Sequence, residues 1–195
     1  MTGDEWIRDG GRVCLDFLNT LRDRWKVPRE TLNEPQDLVR WLHGAALIAP
    51  DTDFPMPSMA TLRSAQLLRE SIDRAALATA QGHLPSPEDV NTINEAVPAA
   101  PRPLLQLVIA GDRLEPQNAE GLAGDVSAGL GLVAQDAVEL LLSAEVRRVR
   151  VCGSDLCALR FVDRSQAGNR RWCSMVRCGN RTKVKRHQAR ARTTG

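Results

Sequence analysis

Cys152-Gly153-Ser154-Asp155-Leu156-Cys157, then fifteen residues, then Cys173-Ser174-Met175-Val176-Arg177-Cys178 is the stretch whose reading decides the fold of this chain. Each cysteine pair encloses four residues, and a basic tail, Gly179-Asn180-Arg181-Thr182-Lys183-Val184-Lys185-Arg186, follows directly. Two clamps of this kind can wrap one tetrahedral ion with four thiolates, Cys152, Cys157, Cys173 and Cys178, and zinc is the metal such a set favours. Two disulfides, or four apolar core thiols, are the other readings of four cysteines. The start of the chain, Met1-Thr2-Gly3-Asp4-Glu5, is acidic and leads into no apolar signal segment, which points to a reducing compartment. Core thiols stand in apolar runs, whereas these stand among Gly, Ser, Asp and Arg. Zinc therefore leads.

The residues around the clamps predict a shape. Val146 to Val151 and Leu159 to Val162 are short and rich in β-branched or apolar residues, with Gly153-Ser154-Asp155 supplying turn chemistry between them. That is a hairpin carrying the first pair. Residues 163–169 read as a loop, and from Ser174, an N-cap, helix formers run without proline to about Arg192. Hairpin, loop and helix around one zinc make a treble clef. Such a helix would be about 27 Å long, enough to lie along a DNA groove.

Cys178-Gly179-Asn180-Arg181, preceded by Arg170-Arg171-Trp172-Cys173-Ser174-Met175 and Phe161-Val162-Asp163, resembles the CGNR zinc finger of bacterial proteins regarded as stress-induced transcription regulators. The resemblance implies that the four cysteines are the zinc ligands. Many relatives have Pro and an acidic residue where Asp155-Leu156 stands here, a departure that leaves the metal chemistry untouched. At the other end, Cys14-Leu15-Asp16-Phe17-Leu18-Asn19-Thr20 resembles the opening motif of ABATE, the N-terminal domain that accompanies this finger.

Charge is distributed unevenly. The 195 residues carry a formal net charge of +2, yet Met1 to Val146 holds 12 Arg and Lys against 22 Asp and Glu, and Arg147 to Gly195 holds 14 against 2. An acidic body carries a basic head, whose field attracts polyanions. The basic head could also dock on the body. No run of eighteen apolar residues exists, which excludes a spanning helix from the sequence.

Along the body, Val13 to Leu15 reads as a short strand, with Leu15, Leu18 and Leu21 at helical spacing beyond it. Asp16, Asn19 and Arg22 stand at i, i+3 and i+6, where structural roles outweigh ligand binding. Cys14, the odd cysteine, reads as a core residue. Asn33 to Asp37 opens a helix, and Ser58 to Gln81 gives the longest amphipathic pattern, with Leu62, Ala65, Leu68, Ile72, Ala75, Ala76 and Ala80 as its buried stripe. Ser86-Pro87 starts a shorter helix that ends near Pro98. Leu104 to Ile109 and Arg113 to Glu115 flank Gly111-Asp112 as a hairpin, and Leu122 to Ser143 is a last helix leading straight into the finger.

The expected fold class is α+β. A helix-dominated N-terminal domain with small β elements spans residues 1–144, and the treble-clef finger with its basic helix spans 145–195. One structural Zn2+ is expected, and a four-thiolate site leaves no open position for a catalytic water, so enzyme chemistry is not. Histidines 43, 83 and 187 are scattered, and no nucleotide loop or nucleophile elbow occurs. On the terminal helix, Arg177, Arg181 and Lys185 form one stripe and Arg186 and Arg190 another, with Val176, Val184 and Ala191 as an apolar side against the hairpin. Arg170, Arg171, Arg177, Arg181, Lys183, Lys185, Arg186 and Arg190 are the expected nucleic-acid contacts. Trp172, beside a zinc ligand, reads as finger core. The expected function is a zinc-dependent, stress-responsive transcription regulator on duplex DNA, at the nucleoid in the cytoplasm, whose N-terminal domain senses a small-molecule effector or mediates association. An RNA-binding or protein-interaction adaptor is the alternative.

Overall fold

In the computed structural model, which describes residues 6–49, 51–101, 105–118, 123–155, 157–182 and 184, the Gly10-Gly11 turn opens into a helix where the sequence reads as a strand. This helix, α1 (Val13–Leu18), buries Cys14, Leu15, Phe17 and Leu18. Its fate is decided by tertiary contacts: Asp16 Oδ1 accepts from Gly10 N at 2.8 Å, and Asp136 Oδ2 accepts from Cys14 N at 2.8 Å. Leu21 is not a further helical position. It begins β1 (Leu21–Arg22), which pairs antiparallel with β2 (Arg29–Glu30).

Glu34 and Asp37 form a reciprocal capping box at the start of α2 (Pro35–Gly44), with proline inside the first turn as the sequence predicts. Trp41 is fully buried and meets Phe17 with ring centroids 5.0 Å apart. Ser58 caps α3 (Met59–Ala80) by accepting from Thr61 N. The predicted stripe is buried at Leu62, Ala65, Leu68, Ile72, Ala75 and Ala76, and Ala80 is half-buried. Each large aliphatic in it contributes about 1.5–3 kcal/mol by leaving water. Ser86 caps α4 (Pro87–Ala96), whose end tightens into a 3-10 turn at Val97–Ala99.

The expected hairpin is present as β3 (Leu105–Ala110) and β4 (Arg113–Asn118), paired Leu105 to Asn118 through Ala110 to Arg113. The last body helix, α5 (Val126–Leu142), begins at its Asp125 cap rather than near residue 122, which lies outside the described residues. It runs through the centre of the core and packs on α1, α3 and α4. At Gly131 an added Cβ would fall 2.3 Å from Ala100 N, so the glycine permits α5 to approach the 3-10 turn closely.

A second 3-10 turn, Ala144–Arg148, occupies part of the predicted strand and leaves β5 (Val149–Val151), which pairs with β6 (Arg160–Val162). Val146, Val149 and Val162 belong to the body's own hydrophobic core, and a smaller cluster of Cys152, Cys157, Leu159, Phe161, Cys173 and Cys178 forms beyond them. The molecule is thus an α+β fold, mostly helical, with three small antiparallel pairs among the described residues and a C-terminal zinc finger. No described helix is long and apolar enough to cross a membrane.

Candidate metal centre and basic surface

Strand β5 delivers Cys152, whose amide donates to Leu159 O at 2.8 Å and closes the hairpin end. Cys157 N donates to Ser154 O at 3.1 Å, and Ala158 takes φ 59° to turn the chain back into β6. The first clamp is therefore a tight knuckle, with the turn where Gly153 to Asp155 predicts it. The loop that follows is organised by Asp163, fully buried, whose carboxylate accepts from Ser165 N at 2.9 Å, from Ser165 Oγ and from Arg170 N at 2.9 Å. The Ser165 hydroxyl, with these amides, holds this carboxyl below its ordinary value. Gly153 N donating to Arg171 O at 2.8 Å ties the loop to the knuckle and places the second clamp opposite the first.

Ser174 acts as the predicted N-cap, its hydroxyl accepting from Arg177 N at 3.3 Å. The turn it opens is wider than an α-turn: Met175–Gly179 is π-helical, with Gly179 N donating to Ser174 O at 3.1 Å. That extra width sets Cys178 facing the knuckle. Helix continues at 180–182 and 184, and the remainder of the predicted basic helix lies outside the described residues.

The four ligand sulfurs lie within 4.8 Å of one another and are buried. Cys157 Sγ to Cys173 Sγ is 3.6 Å, and Cys173 Sγ to Cys178 Sγ is 3.8 Å. A tetrahedron of thiolates at zinc bond length has sulfurs about 3.8 Å apart. The set thus fits one zinc, and the distances are far too long for the S–S bond of about 2.05 Å that the disulfide reading needs. All five cysteines are free thiols.

Electrostatics agree with this fit. Hydrogen bonds from Cys157, then Cys173, favour a thiolate at Cys152, to which Cys173 N also donates at 3.4 Å. In return the Cys152 sulfur pushes the thiols of Cys157 and Cys173 up. Four sulfurs this close cannot all ionise by themselves, and a divalent cation reverses that balance by stabilising every thiolate at once. The group that Cys152, Cys157, Cys173 and Cys178 hold is a single structural Zn2+, supplying a cross-link between hairpin and helix.

Around this centre the expected basic contacts divide. Arg171, Arg177 and Arg181 are exposed. Arg170 is exposed as well, but its guanidinium is engaged: it donates to Trp172 O at 2.8 Å and to Cys173 O, and covers the Phe161 ring at 4.8 Å. Arg177 is ion-paired with Asp9 of the body. Lys183, Lys185, Arg186 and Arg190 lie outside the described residues. The apolar side assigned to this helix needs correction, since Val176 is 79% and Val184 55% exposed. The wide turn directs Cys178 and Gly179 inward instead, and Ala191 lies outside the described residues. Trp172 is half-buried against the finger cluster, with the Arg171 guanidinium 5.3 Å from its ring.

Residues outside the metal centre hold this head on the body. Asn19 mimics a strand neighbour, its Nδ2 donating to Arg160 O at 2.9 Å while its Oδ1 accepts from Arg160 N at 2.8 Å. Arg160 itself forks onto Asp73 of α3, Nε to Oδ1 at 2.6 Å and Nη2 to Oδ2 at 2.7 Å. Asn19 thus has the structural role expected of it, and Cys14, fully buried with burial pushing its thiol up, is a core residue.

Comparison with known families gives two matches. The ABATE family, described as "Putative stress-induced transcription regulator", matches residues 11–144, and the CGNR zinc finger matches residues 148–191. Comparison with curated proteins gives no match. With its N-terminal match spanning most of the chain and four cysteines closing on one metal position at the other end, the protein belongs to the ABATE family and carries a CGNR zinc finger.

Proposed function

We propose that the protein is a zinc-dependent, stress-responsive transcription regulator, in which residues 145–195 bind duplex DNA and residues 1–144 sense an effector or mediate association. The observation that carries this reading is the exposed arginine set, Arg171, Arg177 and Arg181, fixed around a metal cross-link in a segment with 14 basic and 2 acidic residues. Phosphates are the ligand class that such a surface attracts. Lys183, Lys185, Arg186 and Arg190 extend it along the chain. We assign no catalytic role, because four thiolates fill the coordination sphere of the ion. A small-molecule effector has space in a groove of 510 Å³ between α3, α4 and α5, lined by Thr61, Ser64, Leu68 and Ser127.

A salt series of duplex binding by the full chain, with zinc content measured, tests the reading. Three phosphate contacts give a slope of about −2.7 in log affinity against log salt, steeper as the tail joins. Cys173→Ser is expected to lose zinc and binding together. A zinc-loaded protein that binds no duplex at low salt refutes the proposal, and retention on structured RNA or an acidic protein would then favour an adaptor.

A further inference from the structure

Four of the body's twelve basic residues fall within Arg22 to Arg29, beside one carboxylate, Asp23. This is the tip of the β1–β2 hairpin. Its base is fixed to α3, where Arg69 forks onto Glu30 at 2.7 and 2.7 Å and Arg24 turns inward to Glu70 at 2.6 and 3.0 Å. Beyond that anchored base the tip projects into solvent, with Trp25 62% and Val27 79% exposed.

The tip meets the finger. Arg22, Asp23, Lys26 and Arg29 line one open pocket of 300 Å³ together with Asp155 of the zinc knuckle and Arg181 of the Cys-Gly-Asn-Arg turn. Four cations against two carboxylates give the pocket a net positive charge, in a body whose balance is otherwise strongly acidic. Asp23 lies 3.6 Å from Arg29, which orients that guanidinium. A lone exposed tryptophan is ordinary on a protein surface. Here it adjoins Lys26, one of the cations of a pocket that shares Arg181 with the candidate DNA surface, and an exposed aromatic ring next to a bound phosphate can pack on the neighbouring sugar.

We propose that the β1–β2 hairpin is a second DNA contact: Arg22, Lys26, Arg29 and Arg181 close around one backbone phosphate, and Trp25 packs on the adjoining sugar. This rests on the reading of the finger as a duplex-binding module. It makes the N-terminal domain part of the DNA interface and gives the finger a fixed register relative to the body.

The test uses the full zinc-loaded chain and a fluorescein-labelled 20-base-pair duplex, followed by anisotropy across a salt series. Lys26→Gln is compared with Arg63→Gln, which removes one charge from an exposed position outside the pocket. Lys26→Gln is expected to reduce the salt slope by about 0.9, and Arg63→Gln to leave it unchanged. Trp25→Ala is expected to weaken binding by roughly 5-fold, the loss of about 40 Å² of apolar contact at about 25 cal/mol per Å². The change in tryptophan emission on DNA binding is expected to shrink in Trp25→Phe, leaving the part that comes from Trp172 beside Arg171. If wild type binds DNA but Lys26→Gln and Trp25→Ala behave as Arg63→Gln does, the hairpin contact is overturned and the finger reading stands. If zinc-loaded wild type binds no duplex, both fall.

Discussion

Replacing Asp73 by Ala should loosen the attachment of the zinc finger to the body. Asp73 is 5% and Arg160 8% exposed, and their two-point contact at 2.6 and 2.7 Å joins α3 to β6. Without the carboxylate, the Arg160 guanidinium keeps Ala158 O as an acceptor but no counter-charge in its immediate fork. Breaking one side of a buried ion pair costs about 3–5 kcal/mol. Arg24, 3.5 Å from Asp73, retains Glu70 and adds little to the loss. A loss near the lower bound, about 3 kcal/mol, is therefore expected, a large share of the 5–15 kcal/mol that typically holds a domain.

The measurement is a double-mutant cycle by urea unfolding of zinc-loaded protein, using Asp73→Ala, Arg160→Met and the pair, with zinc release followed in parallel. Once the guanidinium is also removed, no charge is stranded, so the double variant should recover about 2 kcal/mol relative to the sum of the singles. Faster zinc loss should accompany Asp73→Ala alone. The reasoning is refuted if Asp73→Ala costs less than about 1 kcal/mol, or if the two single losses simply add.

Ala158 holds φ 59° in the knuckle, a conformation costing an L-residue about 1–2 kcal/mol. After the extra chain entropy of glycine, Ala158→Gly should gain about 0.5–1 kcal/mol, seen as a higher urea midpoint and slower zinc loss to a chelator. Gly131→Ala should cost about 1–3 kcal/mol in thermal unfolding, because the clash is with the backbone of Ala100 rather than a movable side chain. Burial, with Asp136 adding to it, raises the Asp16 carboxyl to about 6, against the opposing Gly10 amide and Arg8. The folded chain then keeps a proton that the unfolded chain has lost, so this group's contribution to stability falls as pH rises from about 4 to 6. In Asp16→Asn that slope should vanish, and the wild-type-minus-variant difference in unfolding free energy should decline over this window and level off above it.

Helices α2, α3 and α4 were legible because each start is written locally, as a capping box or a serine cap with proline beside it. The metal centre was legible for a similar reason: thiolate spacing is a local constraint that needs no knowledge of the rest of the fold. The α1 segment reads as strand because Val13 is β-branched and the helix is only one and a half turns long. What decides it is Asp136, more than a hundred residues away along the chain. The π-turn at Cys178 was invisible for the opposite reason, since its residues suit an ordinary helix and the wide turn brings Cys178 to the other three sulfurs. Partners such as Asp73 and Arg160, or Arg22 and Arg181, stand in segments that each look like an ordinary charged surface. Only the packing of α1 on β6 and of α3 on β5 brings them together.

A chain cut between residues 144 and 145 would separate the two family matches but not two independent cores. Val146, Val149 and Val162 are each 3% exposed or less, and they pack with the body rather than with the cysteine cluster. Removing the body returns three valines to water, at about 1.5–3 kcal/mol each as an upper estimate, and also removes Asp73 and Asn19 from Arg160. The isolated segment 145–195 would then draw its order from zinc alone, so part of the binding energy is consumed in folding the hairpin. Its zinc affinity should therefore be at least about 100-fold below that of the full chain, since every 1.4 kcal/mol is tenfold. Competition with a chromophoric chelator measures both. Equal affinities would mean that the hairpin holds its shape without the body, and that the buried joint plays no part in positioning the zinc centre.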